Sequence, residues 1–151
     1  MSESMTIRRA RSSDRDALLE IWLRSVRASH TFLTEDEIQS LLPSVRDYLA
    51  LPDLELWVLC TESSRPAGFM GLSGAVVDAL FLAPERFRQG GGTLLLDHAR
   101  RLKGPLSVDV NEQNPEALQF YLARGFNVVG RSPVDADGRP FPLLHLREAG
   151  G

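Results

Sequence analysis

The sequence predicts a single mixed α/β domain. Three observations carry that expectation. Three consecutive strand-like segments fill the middle of the chain, amphipathic helical segments lie on both sides of them, and no Pro/Gly/Ser-rich linker or internal repeat divides the whole. At 151 residues the chain suits one domain with a real core. The segment order is β-α-α-β-β-β-α-β-α-β-β, which departs from the steady strand–helix alternation of a doubly wound sheet.

The elements follow in chain order. "MTIRRA" reads as a short strand. "SSDRDALLEIWLRSVRASHTF" reads as a helix with Ser13 and Asp16 as a capping-box pair and Leu18, Ile21, Trp22 and Val26 as its apolar stripe. "TEDEIQSLLPSVRDYLAL" is a second helix, opened by the box Thr34/Glu37 and kinked or broken at Pro43. "LELWVLCTES", "RPAGFMGLSG" and "AVVDALFLAP" are strands separated by turn residues. The glycine segment opens a helix that runs to about Lys103, and "LSVDVNE" alternates as a strand. "NPEALQFYLARGF" is a helix with Asn114 at its N-cap, Pro115 at its first position and Gly125 past its end. "FNVVGRSPV" and "PFPLLHLRE" close the chain as strands around "DADGRP".

Composition excludes several classes. A net charge of −3 argues against a dedicated nucleic-acid binder. The single cysteine, Cys60, rules out an internal disulfide framework and a cysteine-based zinc site, and it reads as a buried strand thiol in a reducing, cytoplasmic setting. The opening stretch 1–10 lacks a signal-type apolar core, and no run is long enough to span a bilayer, so no membrane partner is expected. The three histidines, His30, His98 and His145, are too scattered for a zinc spacing, so no metal is expected. No Gly-x-Ser-x-Gly elbow is present.

"RFRQGGGTLLLDHAR" is the segment that asks for chemistry. A Walker loop needs Gly-Lys-Ser/Thr, and a dinucleotide fingerprint needs G-x-G-x-x-G after the first strand; neither is here. Two readings stand: exposed N–H groups at a helix start that bind phosphate, with Arg86 and Arg88 adding positive charge, or a flexible turn. Arg100, Arg101 and Lys103 fit a helix C-terminus, where cations are favoured.

The stretch "LFLAPERFRQGGGTLLLDHA" resembles the pyrophosphate-binding segment of the GNAT superfamily of acetyl-CoA-dependent N-acyltransferases. That segment has Gln/Arg-x-x-Gly-x-Gly/Ala after a strand ending in Pro-Glu. "NEQNPEALQFYLARGF" is similar to the family's second signature, an Asn-capped helix carrying Tyr and ending in Gly-Phe. "SVRASHTFL", "VDALFL" and "GRSPVDADGRPFPLLHL" resemble a small bacterial YjaB-like subgroup. One departure stands out: Phe87 occupies the place where Gln or Arg starts the family motif.

The resemblance covers residues 5–147 and implies one GNAT-like domain with a central mixed, mostly antiparallel sheet flanked by helices. It implies transfer of an acetyl group from acetyl-CoA, the co-substrate, directly to a primary amine of a small molecule or peptide in a ternary complex. An acyl-CoA-binding or sensing module with little turnover is the alternative. The implied cofactor contacts are the backbone of Leu80, Phe81 and Leu82 with pantetheine, and Arg88, Gln89, Gly90, Gly91, Gly92 and Thr93 with pyrophosphate. Asn114 touches the pantetheine arm or serves only as a cap. Tyr121 either protonates the leaving thiolate or is a core aromatic beside Phe120. Asp78 is the only charge in "AVVDALFLA", so it takes the amine's proton, binds its cation or pairs with an arginine. Asp109 shares that ambiguity. His30 is a base at the acceptor site or a dipole partner at a helix end. A homodimer is compatible with an exposed edge on the last two strands.

Overall fold

The computed structural model of the protein describes residues 4–149, so the first three residues of the stretch 1–10 lie outside the described residues. The elements in chain order are β1 (Thr6–Arg9), α1 (Arg15–Ser29), α2 (Glu35–Leu49), β2 (Glu55–Cys60), β3 (Pro66–Ser73) and β4 (Val76–Leu82). Then come α3 (Gly91–Lys103), β5 (Ser107–Asn111), α4 (Pro115–Leu122), β6 (Phe126–Ser132) and β7 (Leu143–Glu148). Single 3-10 turns at Ser12–Asp14 and Pro84–Arg86 precede α1 and α3. The predicted order holds throughout.

The strands form one seven-stranded sheet in the order β1-β2-β3-β4-β5-β7-β6. Every neighbouring pair is antiparallel except β4 and β5. The sheet has an apolar face on each side, because buried residues alternate along its strands. Leu59, Met70, Leu72, Val77, Val108 and Val110 pack under Leu95, Leu96 and Ala99 of α3 and Tyr121 of α4. Leu56, Val58, Cys60 and Phe69 pack under Leu18, Ile21, Trp22 and Val26 of α1 and Ile38 and Leu49 of α2. The apolar stripe expected of α1 is therefore its buried face, and Cys60 is a buried thiol.

Three local expectations need correction. The Ser13/Asp16 box does not form; α1 starts one residue later than the box requires, with Asp14 at its N-cap, where Asp14 accepts the Arg11 N–H at 2.7 Å and pairs with Arg8 at 2.8 Å. Pro43 does not break α2, which runs unbroken through it. Pro43 and Gln39 are exposed, so the carbonyl that loses its N–H partner meets water, while Ile38, Leu41, Leu42, Val45 and Leu49 hold the helix on the sheet. Of the last two strands only β6 is an edge; β7 lies between β5 and β6.

The feature that makes a site is the β4–β5 pair. It is parallel and joined only at Val76↔Ser107 and Val77↔Val108. Beyond those two positions the strands part. On β4 the pairing with β3 jumps from Gly71↔Ala79 to Leu72↔Val77, which leaves Asp78 as the extra residue of a β-bulge. The chain from Ala79 to Leu82 then pairs with β3 on one side and faces open space on the other.

That stretch of β4 is held tightly from behind. A Cβ on Gly68 would stand 2.8 Å from the Phe81 carbonyl oxygen and 2.5 Å from Leu82 Cδ2. Gly68→Ala is expected to destabilise the protein by about 1–3 kcal/mol through overpacking. Urea denaturation should show a lower midpoint with an unchanged slope.

Candidate active site

Parting of β4 and β5 leaves a cavity of about 780 Å³ that passes between them, from the start of α3 to the end of α1. Its walls come from β4 and β5, the Phe87–Thr93 segment, α4 and the C-terminal end of α1.

At one mouth stands the N-terminus of α3. Gly90 is its N-cap with φ +86°, no side chain caps it, and no acidic residue lies in its first turn. Its free N–H groups and the positive end of the helix dipole are therefore left for an anion. The three glycines have three different reasons. Gly90 takes the left-handed turn. Gly91 is buried against the sheet, where a Cβ would stand 2.8 Å from Leu59 Cδ2. Gly92 admits the Phe120 ring, whose Cζ would be 2.8 Å from a Cβ. So the helix is drawn down onto the sheet and against α4, and its N-terminus ends up at the cavity wall.

The expected cofactor contacts divide accordingly. Leu80, Phe81, Leu82, Arg88, Gly90, Gly92, Thr93 and Asn114 line the cavity. Gln89 turns away and donates to the Glu85 carbonyl at 2.9 Å, and Gly91 lies beneath. Arg88, with φ +63°, is exposed and 3.7 Å from Glu116. Phe87 also faces the cavity. Asn114 caps α4 by accepting the Ala117 N–H at 3.2 Å, and it is buried at the cavity wall.

Tyr121, Asp78 and His30 come together around the same cavity. The Tyr121 ring is held edge-on between Phe120 and Phe126, at centroid distances of 5.1 and 5.2 Å. Burial raises its pKa above that of a free phenol, so it stays protonated. Asp78 is not buried as its apolar neighbours suggested, and of the alternatives left open for it, pairing with an arginine is not what the structure shows among the described residues. The bulge turns it outward, it is exposed, and it accepts a hydrogen bond from the Ser73 hydroxyl. It also faces the buried Tyr48 hydroxyl, whose pKa is raised by desolvation and then by Asp78.

His30 caps the C-terminal end of α1, and its ring lies 5.4 Å from Phe32 and 6.5 Å from Phe81. Burial lowers its pKa, which keeps it neutral where a free histidine begins to protonate. Its tautomer follows from its neighbours. The Ser29 hydroxyl donates its one proton to the Ser25 carbonyl at 2.8 Å, so it accepts from His30 Nδ1, also at 2.8 Å. Nε2 is then the bare, basic nitrogen. Sequence reading missed this serine pair, although Ser25 and Ser29 are one helical turn apart and Ser29 immediately precedes the histidine.

It also missed Arg124. This residue donates from Nε to Thr93 Oγ1 at 2.8 Å and from Nη1 to the Phe120 carbonyl at 2.7 Å, with its guanidinium 3.8 Å from the centre of the Phe120 ring. It ties the start of α3 to the end of α4 across one mouth of the cavity. Its only sequence sign is its place before Gly125.

A sheet opened between its parallel central strands, with a helix N-terminus at the opening, makes a cleft suited to an extended ligand that carries an anion. The chain belongs to the GNAT acetyltransferase family, whose domain model matches residues 31–142. It is 45% identical over 142 residues to the peptidyl-lysine N-acetyltransferase YjaB of Salmonella typhimurium, covering 94% of this chain and 97% of that one. The corresponding identity to YjaB of Escherichia coli is 44% over 146 residues, 97% of this chain and 98% of that one. The fold superposes on the solution structure of apo YjaB from Escherichia coli with a TM-score of 0.89 at 43% identity, covering 98% and 99% of the two chains. PaiA N-acetyltransferase from Thermoplasma acidophilum, solved in complex with coenzyme A, shares the fold at a TM-score of 0.79 and 19% identity, over 96% of this chain and 98% of that one.

Arg124→Ala is expected to lower stability by about 2 kcal/mol, since it removes charge-assisted hydrogen bonds between two helices. The midpoint of urea unfolding measures this.

Proposed function

We propose that the chain moves an acetyl group from acetyl-CoA directly to a primary amine, with the lysine side chain of a peptide as the acceptor class. The observation that carries this reading is the opening between β4 and β5, with an uncapped helix N-terminus at one end and a neutral, tautomer-fixed histidine at the other. The YjaB relatives, which are peptidyl-lysine N-acetyltransferases, support the acceptor class, and the coenzyme A in the PaiA complex supports the donor.

The parted stretch of β4 suits pantetheine, because an extended chain of amides can add to it as a strand would. The α3 N–H groups, Arg88 and Thr93 suit the pyrophosphate. Asn114 then meets the pantetheine arm. The acceptor comes from the opposite mouth, past Phe32. An amine of pKa about 10.4 arrives protonated and must lose that proton before it attacks. His30 Nε2 takes the proton in this reading, and Asp78 relays it through water. The Tyr121 phenol faces the departing sulfur and donates to it. Most of the rate advantage comes from holding thioester and amine together.

Calorimetric titration with acetyl-CoA, with adenosine as a control lacking pyrophosphate, tests the donor site. Saturable binding of acetyl-CoA alone is expected, and flat traces at high concentration would overturn the assignment. Tyr121→Phe should lower kcat by about 10²-fold while leaving acetyl-CoA affinity within about twofold.

The acid limb of the kcat–pH profile should lie below the ordinary histidine value of about 6.5, because burial lowers the His30 pKa. His30→Gln should remove that limb and lower kcat by about 10²-fold. A limb that persists in the variant would assign the base elsewhere.

A further inference from the structure

Beside the cleft, across β5, β7 and β6, stands a chain of three polar side chains that acetyl transfer as described does not use. His145 Nδ1 is 2.6 Å from Asp109 Oδ1, and His145 Nε2 is 2.7 Å from Ser132 Oγ. Asp109 and His145 are cross-strand partners, and Gly130 is the residue opposite His145 on the other side. A Cβ on Gly130 would stand 3.3 Å from His145 Cδ2, so the glycine gives the ring its room.

Alternation decides which way the chain faces. Val108, Val110 and Leu146 belong to the core under α3 and α4, so Asp109 and His145 project from the opposite side of the sheet. A carboxylate only accepts, so His145 Nδ1 donates to Asp109, while His145 Nε2 is hydrogen-bonded to the Ser132 hydroxyl. The imidazole is thus pinned at both ends and aims the carboxylate.

The order Ser-His-Asp is that of a hydrolase triad, but its orientation here is reversed. Asp109 lines the cavity, at the first position after β5 leaves β4, and its side chain is 56% exposed. The group presented to a substrate is therefore an anion and not a nucleophile. It stands on the face opposite α3 and α4, across the sheet from the helix N-terminus that suits the phosphates.

We propose that Asp109, aimed by His145 and Ser132, binds the ammonium group of the acceptor at that mouth and so selects cationic primary amines, lysine side chains above all, over neutral or acidic ones. His145 and Ser132 are positioning residues in this scheme. It rests on the acetyl-transfer reading above.

The test combines kinetics, calorimetry and NMR on the full chain. Asp109→Asn should raise the KM for a lysine peptide about fivefold, the upper scale of an exposed charge pair, and leave kcat and acetyl-CoA affinity near wild type. Asp109→Glu should recover part of the loss, and His145→Gln and Ser132→Ala should raise KM by smaller factors. In wild-type protein labelled at histidine, the lysine peptide should shift the His145 ring signals, and the same peptide with norleucine should not. That arm decides the matter if the Asp109 variant fails to fold. A wild-type KM in Asp109→Asn, or equal shifts from both peptides, overturns this inference and leaves acetyl transfer standing. A wild-type protein that neither binds acetyl-CoA nor releases coenzyme A defeats the transfer reading, and this inference falls with it.

Discussion

Everything in this structure depends on two parallel strands that stay together for only two residue pairs. Antiparallel neighbours anchor β4 through β3 and β5 through β7, so the sheet keeps its integrity while its middle opens. A buried backbone edge is costly unless something pairs with it. The Ala79–Leu82 stretch avoids that cost by facing a cavity, where water or the amides of a ligand can meet it. The opening therefore leaves strand-like hydrogen-bonding groups facing the cavity.

The opening also separates the two halves of the proposed reaction. On one side the α3 N-terminus, Arg88 and Thr93 suit a polyanion. On the other side the sheet presents Asp78, at a bulge, and Asp109, aimed by His145. Substrates of opposite charge would then approach from opposite faces and meet between the strands, so neither must pass the other. In the proposed reaction, charge placement, more than net charge, is what suits a protein of −3 to phosphates.

Burial acts in opposite directions on the two proposed proton carriers. Desolvation disfavours whichever form is charged. It raises the Tyr121 phenol and lowers the His30 imidazole, so both stay neutral around physiological pH. A neutral phenol can donate and a neutral imidazole can accept. The packing that builds the core, with Tyr121 between Phe120 and Phe126 and His30 against Phe32 and Phe81, thus also sets their protonation states.

The element order, the Thr34/Glu37 and Asn114 caps, the positive-φ turns at Gly90 and Gly125, and the buried stripes of α1 and the central strands were legible in the sequence. Each depends on neighbours only a few residues away. The sequence also pointed to the glycine segment and to the side chains His30, Asp78 and Tyr121, which the fold brings to one cavity. It misjudged what depends on distant partners. Pro43 stays within a helix because an apolar face holds that helix to the sheet, and Asp78 is exposed because a register shift turns it outward. Gly91 and Gly92 also leave room for Leu59 and Phe120, which no local pattern reports. The pairing of Asp109 with His145, 36 positions apart, and the clamp of Arg124 on Thr93, 31 apart, have no local signature. Sequence determines what short-range backbone geometry and side-chain periodicity can encode, and tertiary structure decides contacts between distant segments, because strand register alone sets which side chains meet across a sheet.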